Sequence, residues 1–229
     1  MKRTATTLCA VLAIAASAVS AFAGVIRISQ VYSGGGASTT PVTYKQDYVE
    51  LFNASGSPVN IGGWTLAYGS ATGNFSCTNC TFVLPANVII QPCSYLLLGV
   101  GTAGTAGADF PIPADVTNSA GPNMSATAGK IAILSAGAPG ASTCPGGTVE
   151  DEVSFGTATA CEGTPTAALS KTTGDVRNNG GLDQSFNNVA DFTIVSNPVP
   201  RNAASAPNTG CIATPVGPAT WGLLKVMYR

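Results

Sequence analysis

Hydrophobic and polar residues alternate along several short segments of the chain, which is the pattern of a half-buried β-strand. In the segment 47–53, Val49 and Leu51 would point to one face of a strand, and Tyr48 and Phe52 would point to the other. The same criterion predicts strands in residues 25–31, 47–53, 62–68, 81–84, 88–90, 94–100, 130–135, 149–155 and 191–195.

Stretches rich in glycine, proline and serine separate these segments and favour turns. The longest are residues 32–44 and 101–109, which we predict to be loops. No amphipathic helical pattern occurs before the last residues of the chain. Many short strands with turns between them predict an all-β fold, a β-sandwich with long loops. Trp64 is predicted to anchor its core, because a large ring buries much apolar area; stacking on a ligand is the alternative.

The composition excludes several kinds of chemistry. Hydrophobic residues make up 45% of the 229 residues and charged residues only 9%, and histidine is absent. The lack of histidine excludes Ser-His-Asp and Cys-His catalysis and removes the commonest zinc ligand. The formal net charge is −1 and no basic cluster occurs, which argues against a nucleic-acid partner bound through its phosphates.

Residues 1–23 have the features of a secretory signal peptide. Lys2 and Arg3 give a positive start, an apolar run covers residues 8–19, and a small-x-small sequence ends at Ala23. The apolar run is shorter than the roughly 20 residues that span a bilayer, so a transmembrane anchor is the less favoured alternative. We therefore predict cleavage near Ala23, a secreted or cell-surface protein, and no transmembrane segment in the mature chain.

Cysteines support export as well. After cleavage six would remain: Cys77, Cys80, Cys93, Cys144, Cys161 and Cys211. An even number in an exported chain indicates three disulfides, although sequence alone does not fix their pairing. We favour Cys144 with Cys161, because they flank the predicted strand 149–155 and could join the two ends of a hairpin. For the motif Cys77-x-x-Cys80, a structural disulfide is favoured over a redox or zinc site, since no second CxxC accompanies it.

The end of the chain is predicted to lie outside a folded domain of residues 24–203. Residues 204–229 begin with a linker rich in proline, alanine and threonine. They end in a short basic tail in which Trp221, Leu224 and Tyr228 recur at helical spacing. The tail is too short to span a bilayer; it could dock on the domain, touch a membrane surface or serve as a sorting signal.

Motifs in the first hundred residues follow the pattern of a known family. Residues 25–31 (VIRISQV), 47–53 (DYVELFN) and 59–66 (VNIGGWTL) match an opening strand, a "D/E-Y-V/I-E-L-x-N" motif and a "V-x-L-x-G-W-x-L" motif. Residues 90–98 match "L-x-P-G-x-Y-L-L-V", with Cys93 in place of the usual glycine. The chain therefore resembles lamin-tail domains. Weaker similarity continues in residues 124–134, 187–193 and 197–202, so that the resemblance covers roughly residues 25–203.

The resemblance implies an immunoglobulin-like β-sandwich of the longer, secreted bacterial type. It implies a structural or interaction module, because no catalytic residues define the family. Within the matched motif, Asn53 is expected to stabilise a turn and Glu50 to contact polar groups of a neighbouring strand. Neither has a nearby nucleophile or histidine that would make it catalytic.

Glu150-Asp151-Glu152 is the densest acidic cluster of the sequence. On a regular strand Glu150 and Glu152 share a face, so a paired-carboxylate site is one hypothesis. We favour the alternative of a solvated or edge-strand face that discourages aggregation.

A second group of oxygen-bearing side chains is Asp183, Asn187, Asn188 and Asp191. Calcium prefers oxygen ligands, but the spacing differs from the calcium loop of EF-hands. Asn and Asp also favour turns through local hydrogen bonds. Calcium binding is therefore the less favoured interpretation of this segment.

The sequence as a whole predicts an extracellular, non-catalytic structural, adhesion or binding module for an unidentified protein or surface polymer. We expect no catalytic residue, no cofactor and no metal site. The alternatives are a carboxylate-dependent extracellular hydrolase or hydrolase accessory protein, and a calcium-stabilised surface module.

Overall fold

The computed structural model describes residues 24–211. The predicted signal peptide and the last 18 residues, with the aromatic and basic tail, lie outside the described residues. The strands are β1 (Ile26–Tyr32), β2 (Asp47–Asn53), β3 (Val59–Asn60), β4 (Thr65–Ser70), β5 (Thr81–Val83), β6 (Ile89–Ile90), β7 (Tyr95–Val100), β8 (Val116–Asn118), β9 (Gly129–Ala136), β10 (Thr148–Phe155), β11 (Thr173–Arg177) and β12 (Phe192–Ser196). Two helical turns, α1 (Asn178–Gly181) and α2 (Asn188–Asp191), precede β12.

Two sheets face each other. The large sheet has the order β12-β11-β1-β2-β7-β8, antiparallel throughout except that β7 and β8 are parallel. The small sheet is antiparallel with the order β10-β9-β4-β5, and β3 pairs with β6 separately. The all-β, immunoglobulin-like sandwich predicted from the sequence is confirmed.

The main core lies between the sheets, and the alternation in β2 shows how the sequence builds it. Val49 and Leu51 are fully buried in this core, whereas Tyr48 points to the opposite face of the large sheet. That outer face is covered by the loop that follows β7, where Phe110 packs edge-on against Tyr48. The large sheet is therefore covered on both faces at β2, which explains why β2 has no exposed residue.

A register shift in β1 changes the predicted alternation of that strand. Pairing with β2 is interrupted between Ile28 and Gln30, so Ser29 is an extra residue. Beyond a bulge the side chains exchange faces. Ile28 and Val31 therefore both enter the main core, although strict alternation placed them on opposite faces.

Other differences follow from weak local patterns. β8 and β11 were not predicted, since β8 has three residues and β11 (TGDVR) mixes glycine with two charged residues. Asp191 ends α2 and does not begin a strand. Trp64 precedes β4 and is only partly buried, although it packs against the main core as predicted.

Three disulfides join the six cysteines of the described chain: Cys77–Cys80, Cys93–Cys211 and Cys144–Cys161. The pairing favoured from the sequence is one of them. Cys93–Cys211 attaches the segment after residue 203 to the start of β7, and the Asn208 amide donates a hydrogen bond to the carbonyl of Cys93. Residues 204–211, which were predicted to begin a linker, thus contact the sandwich.

Cys93 has an unusual main-chain conformation. Its φ is 55°, in the left-handed region that glycine adopts without strain. This is the position at which the related motif carries glycine. The disulfide to Cys211 therefore holds an L-residue where the turn before β7 favours glycine.

Candidate functional site

A fully buried ion pair connects the two sheets. Nη2 of Arg177, at the end of β11, lies 2.5 Å from Oδ2 of Asp151 on β10, and neither side chain is exposed. Ile28 of β1 bonds both partners: its amide donates to Asp151 (2.7 Å) and its carbonyl accepts from Nε of Arg177 (2.8 Å). Strands β1 and β11 pair only through Gln30 and Val31. The ion pair therefore provides hydrogen-bond partners for the main chain of β1 beyond the residues that pair with β11.

The Nη1 donors of Arg177 bind the segment that follows α1. Nη1 donates to the carbonyl of Asp183 (2.9 Å) and to Oε1 of Gln184 (2.6 Å), and lies 3.7 Å from Oδ2 of Asp191. The guanidinium carbon lies 4.3 Å from the centre of the Phe192 ring. A planar cation with five donors suits such a buried site, because unpaired buried charge is strongly destabilising.

Two further acids lie beside this pair and lack complete hydrogen bonding. Both carboxyl oxygens of Glu152, and Oε2 of Glu162, are buried without a hydrogen-bond partner. Burial, followed by the nearby charge of Asp151, raises the pKa of each to about 8. The main-chain amides of Cys161 and Glu162 oppose the rise in the pKa of Glu152, although they form no hydrogen bond with its carboxyl oxygens. Both acids are therefore mainly protonated at neutral pH.

The structure corrects both interpretations of the cluster Glu150-Asp151-Glu152. The register of β10 against β9 shifts between Val149 and Asp151, so Glu150 is an extra residue in a bulge and the two-residue repeat is lost. Asp151 and Glu152 are fully buried, so the expectation of a solvated face is wrong for them. Since a substrate cannot contact a buried carboxyl group, this arrangement also argues against a paired-carboxylate hydrolase.

The segment proposed for calcium uses its oxygens within the chain. Both carboxylate oxygens of Asp191 accept from the Ser185 amide (2.8 and 2.9 Å), and Oδ1 of Asn187 accepts from the Thr164 amide (2.9 Å). The side-chain amide of Asn188 donates a hydrogen bond to the Ser154 hydroxyl. Across residues 24–211, no three acidic, cysteine or histidine side chains are placed so that they could hold a metal ion.

Buried Glu50 forms a second ion pair, with the half-buried Arg201, on the outer face of the large sheet. It accepts from Nη2 of Arg201 (2.7 Å), from the Ser29 hydroxyl (2.6 Å) and from the Gln30 side chain (3.1 Å). The guanidinium of Arg201 also stacks 3.7 Å from the centre of the Tyr95 ring. Contact with polar groups of a neighbouring strand agrees with expectation. The Ser29 hydroxyl that bonds Glu50 is fully buried.

Asn53 stabilises the turn that follows β2, as expected. Its side-chain amide donates to the carbonyls of Ser57 (2.8 Å) and Ile90 (3.0 Å), and its Oδ1 accepts from the Ser55 amide (2.9 Å). These contacts are structural and leave no group of Asn53 directed at a reactant.

An open pocket of about 220 Å³ lies at one end of the large sheet. It combines a polar rim, in which Nζ of Lys45 lies 3.1 Å from Oδ1 of Asp109, with an apolar wall that includes Phe110. The pocket is lined by Lys45, Gln46, Ala103, Ala108, Asp109, Phe110, Ile112 and Pro113. We call this feature the end-loop pocket. Aromatic and aliphatic walls with few polar groups are typical of ligand sites, and loops at the end of a scaffold often carry function.

A larger concavity of about 370 Å³ lies beside Phe75 and the Cys77–Cys80 disulfide. Its lining offers no charged side chain. The end-loop pocket is therefore the better candidate for specific recognition.

Sequence reasoning missed Arg177, Glu162, Arg201 and Asp109. These residues lie in segments without clear periodicity, and their partners are distant in sequence. One signal was present: in a chain with so few charged residues, charges inside predicted strands, such as Asp151, favour internal pairing.

Comparisons with known proteins agree with this architecture. The family model described as Lamin Tail Domain matches residues 20–176. A similar solved structure is that of a DUF4876 family protein from Bacteroides thetaiotaomicron VPI-5482, with a TM-score of 0.52 and 10% sequence identity over 85% of this chain and 75% of that chain. At this identity the likeness shows the fold alone. No protein with a curated description matches the sequence.

Proposed function

Since this chain belongs to the lamin tail domain family, we propose that it is an exported, non-catalytic binding module that holds a protein or polymer of the cell surface. Three disulfides support the extracellular setting, because disulfides persist in oxidising compartments. Among residues 24–211, no helix has the length and apolarity that crossing a bilayer requires.

The proposal rests on the contrast between charged residues that are buried and charged residues that are accessible to solvent. Asp151, Glu152 and Arg177 are fully buried, where they act on the fold. Lys45 and Asp109, in contrast, have side-chain exposures of 37% and 85% at the end-loop pocket. A ligand can therefore reach the pocket while the acids inside the sandwich remain inaccessible.

The chemistry of the end-loop pocket favours a ligand with both polar and apolar parts. Lys45 and Asp109 provide a donor and an acceptor, and the Phe110 ring provides an apolar surface beside them. The ring is held in place by edge-on contacts with Tyr44 and Tyr48, at centroid distances of 5.5 and 5.6 Å. A rigid aromatic wall loses little entropy when a ligand binds.

Co-sedimentation with the cell-envelope fraction of the producing cells tests this function. We expect the purified chain to sediment with envelopes, and the variants Phe110→Ala and Lys45→Ala/Asp109→Ala to remain in the supernatant. Val83→Ser is the matched control, because Val83 is 62% exposed on the small sheet and does not line the pocket. Undiminished sedimentation of the pocket variants would contradict the site, and no sedimentation of the unmodified chain would contradict the function.

A further inference from the structure

The edge strand β12 differs from the other edges of the two sheets. β5 and β8 have three residues each, and β10 is interrupted by register shifts and contacts β1. β12 pairs with β11 in regular register over all five residues of Phe192–Ser196. Its sequence FTIVS contains no charged residue and no proline. Short length, bulges, charges and proline are the usual protection of sheet edges, and β12 has none of them.

The pairing with β11 determines which main-chain groups of β12 are free. The Asn197 amide donates to the carbonyl of Thr172, which lies opposite to it. Hydrogen-bonded pairs alternate along an antiparallel ladder. Thr193 and Val195 therefore bond to β11, and the main-chain groups of Ile194 and Ser196 point away from the sheet. Among residues 24–211, no side chain donates to or accepts from these outward groups.

We propose that β12 pairs antiparallel with β12 of a second copy of this chain, about a two-fold axis at Ile194. In this arrangement the Ile194 amide of each copy donates to the Ile194 carbonyl of the other. The Ser196 amide donates to the carbonyl of Phe192 of the other copy. The two large sheets would become one continuous sheet through strand addition.

The properties of the edge favour a second copy as the occupant. Self-pairing places no like charges opposite each other, because residues 192–196 are all uncharged. Two of the exposed large hydrophobic residues flank the strand, Val189 at 54% and Val199 at 67% exposure. Because the two strands run antiparallel, the two-fold axis places Val199 of one copy near Val189 of the other. Self-complementarity of this kind is what a symmetric dimer needs, and the proposal does not depend on the end-loop pocket.

Sedimentation velocity on the full chain, with its disulfides intact, tests the proposal from micromolar to millimolar concentration. We expect the average mass to rise from monomer towards dimer. Ile194→Pro removes the outward amide and also a side chain that packs against the main core, so the variant should keep its ladder bonds to β11 but lose some melting temperature. It should shift the midpoint of association to a concentration about tenfold higher or more. Ile194→Ala, which loses the same core packing but keeps the amide, is the matched control and should associate normally.

Hydrogen exchange gives a second measurement that requires no substitution. The Ile194 and Ser196 amides should exchange slowly at high protein concentration and rapidly after dilution, whereas the Val195 amide should be protected at both. A chain that stays monomeric at every concentration would overturn the proposal. A dimer in which the Ile194 amide exchanges rapidly, or which Ile194→Pro leaves intact, would overturn it as well.

Discussion

Arg177 and Asp151 form an ion pair in which both partners also bind the main chain of Ile28. One contact therefore joins β10, β11 and β1, the strands at which the two sheets meet. Neither side chain is exposed, so solvent does not weaken the attraction between the charges.

Breaking this pair should destabilise the fold strongly. Asp151→Asn takes the nearest carboxylate from the buried Arg177 charge and leaves only Asp191, 3.7 Å away, so we expect the free energy of unfolding to fall by about 3 kcal/mol. Urea denaturation measures this difference. Asp109→Asn is the matched control, because its ion pair with Lys45 is exposed and should contribute less than about 1 kcal/mol. Equal effects of the two substitutions would show that the buried pair has no special role.

Stability should decrease as the pH rises from about 4.5 to about 8. Glu152 and Glu162 have pKa values raised from 4.5 to about 8 in the folded chain, and Asp47 and Asp175 have values raised from 3.8 to about 7, in each case mainly by burial. Within this window the folded chain holds protons that the unfolded chain has released. Raising the pH therefore favours unfolding. We expect a higher melting temperature at pH 5 than at pH 9, measured by calorimetry.

Glu152→Gln identifies the contribution of one of these groups. The variant carries no titrating proton at this position, so it should be more stable than the unmodified chain at pH 9, by up to about 5 kcal/mol. Glu150→Gln is the control, since the Glu150 side chain is only partly buried. A pH dependence that Glu152→Gln leaves unchanged would contradict the assignment.

The Cys93–Cys211 disulfide should be the most stabilising of the three. It closes a loop with a sequence separation of 118 residues, compared with 3 for Cys77–Cys80. In the chain-entropy model, Cys93→Ser/Cys211→Ser should lower the free energy of unfolding by about 4–5 kcal/mol, and Cys77→Ser/Cys80→Ser by about 1–2 kcal/mol. Urea denaturation of both variants tests this order, and a reversed order would contradict it.

The conformation of Cys93 adds a sharper comparison. Because its φ is 55°, glycine should fit this position better than serine once the disulfide is removed. Cys93→Gly/Cys211→Ser should therefore be more stable than Cys93→Ser/Cys211→Ser by about 1 kcal/mol. The same denaturation experiment measures the difference, and equal stabilities would show that the left-handed turn is lost without the bond.

Calcium should have no effect on the stability of the described domain. The oxygens of Asn187 and Asp191 already accept hydrogen bonds from main-chain amides, so binding an ion there would break these contacts. We expect the same melting temperature in millimolar calcium and in chelator. A rise in calcium that Asp191→Asn abolishes would restore the calcium hypothesis.

Local patterns were sufficient for the central part of the fold. β2 matches its predicted range, and β7, β9 and β10 match theirs within about a residue or two, because each contains apolar residues that must be buried. The motifs around Glu50, Asn53 and Trp64 were sufficient for the family and for the sandwich. The even number of cysteines indicated three disulfides.

Tertiary structure decided what depends on residues distant in sequence. The bulges at Ser29 and Glu150 follow from pairing with β2 and β9, so no local pattern contains them. Burial of Asp151 is possible only because Arg177, 26 residues later, brings its charge to the same place. The end-loop pocket likewise requires Lys45 and Asp109 to meet across 64 residues. A sequence determines where apolar surface must be buried, whereas the partner of each charge is determined only when the sheets are assembled.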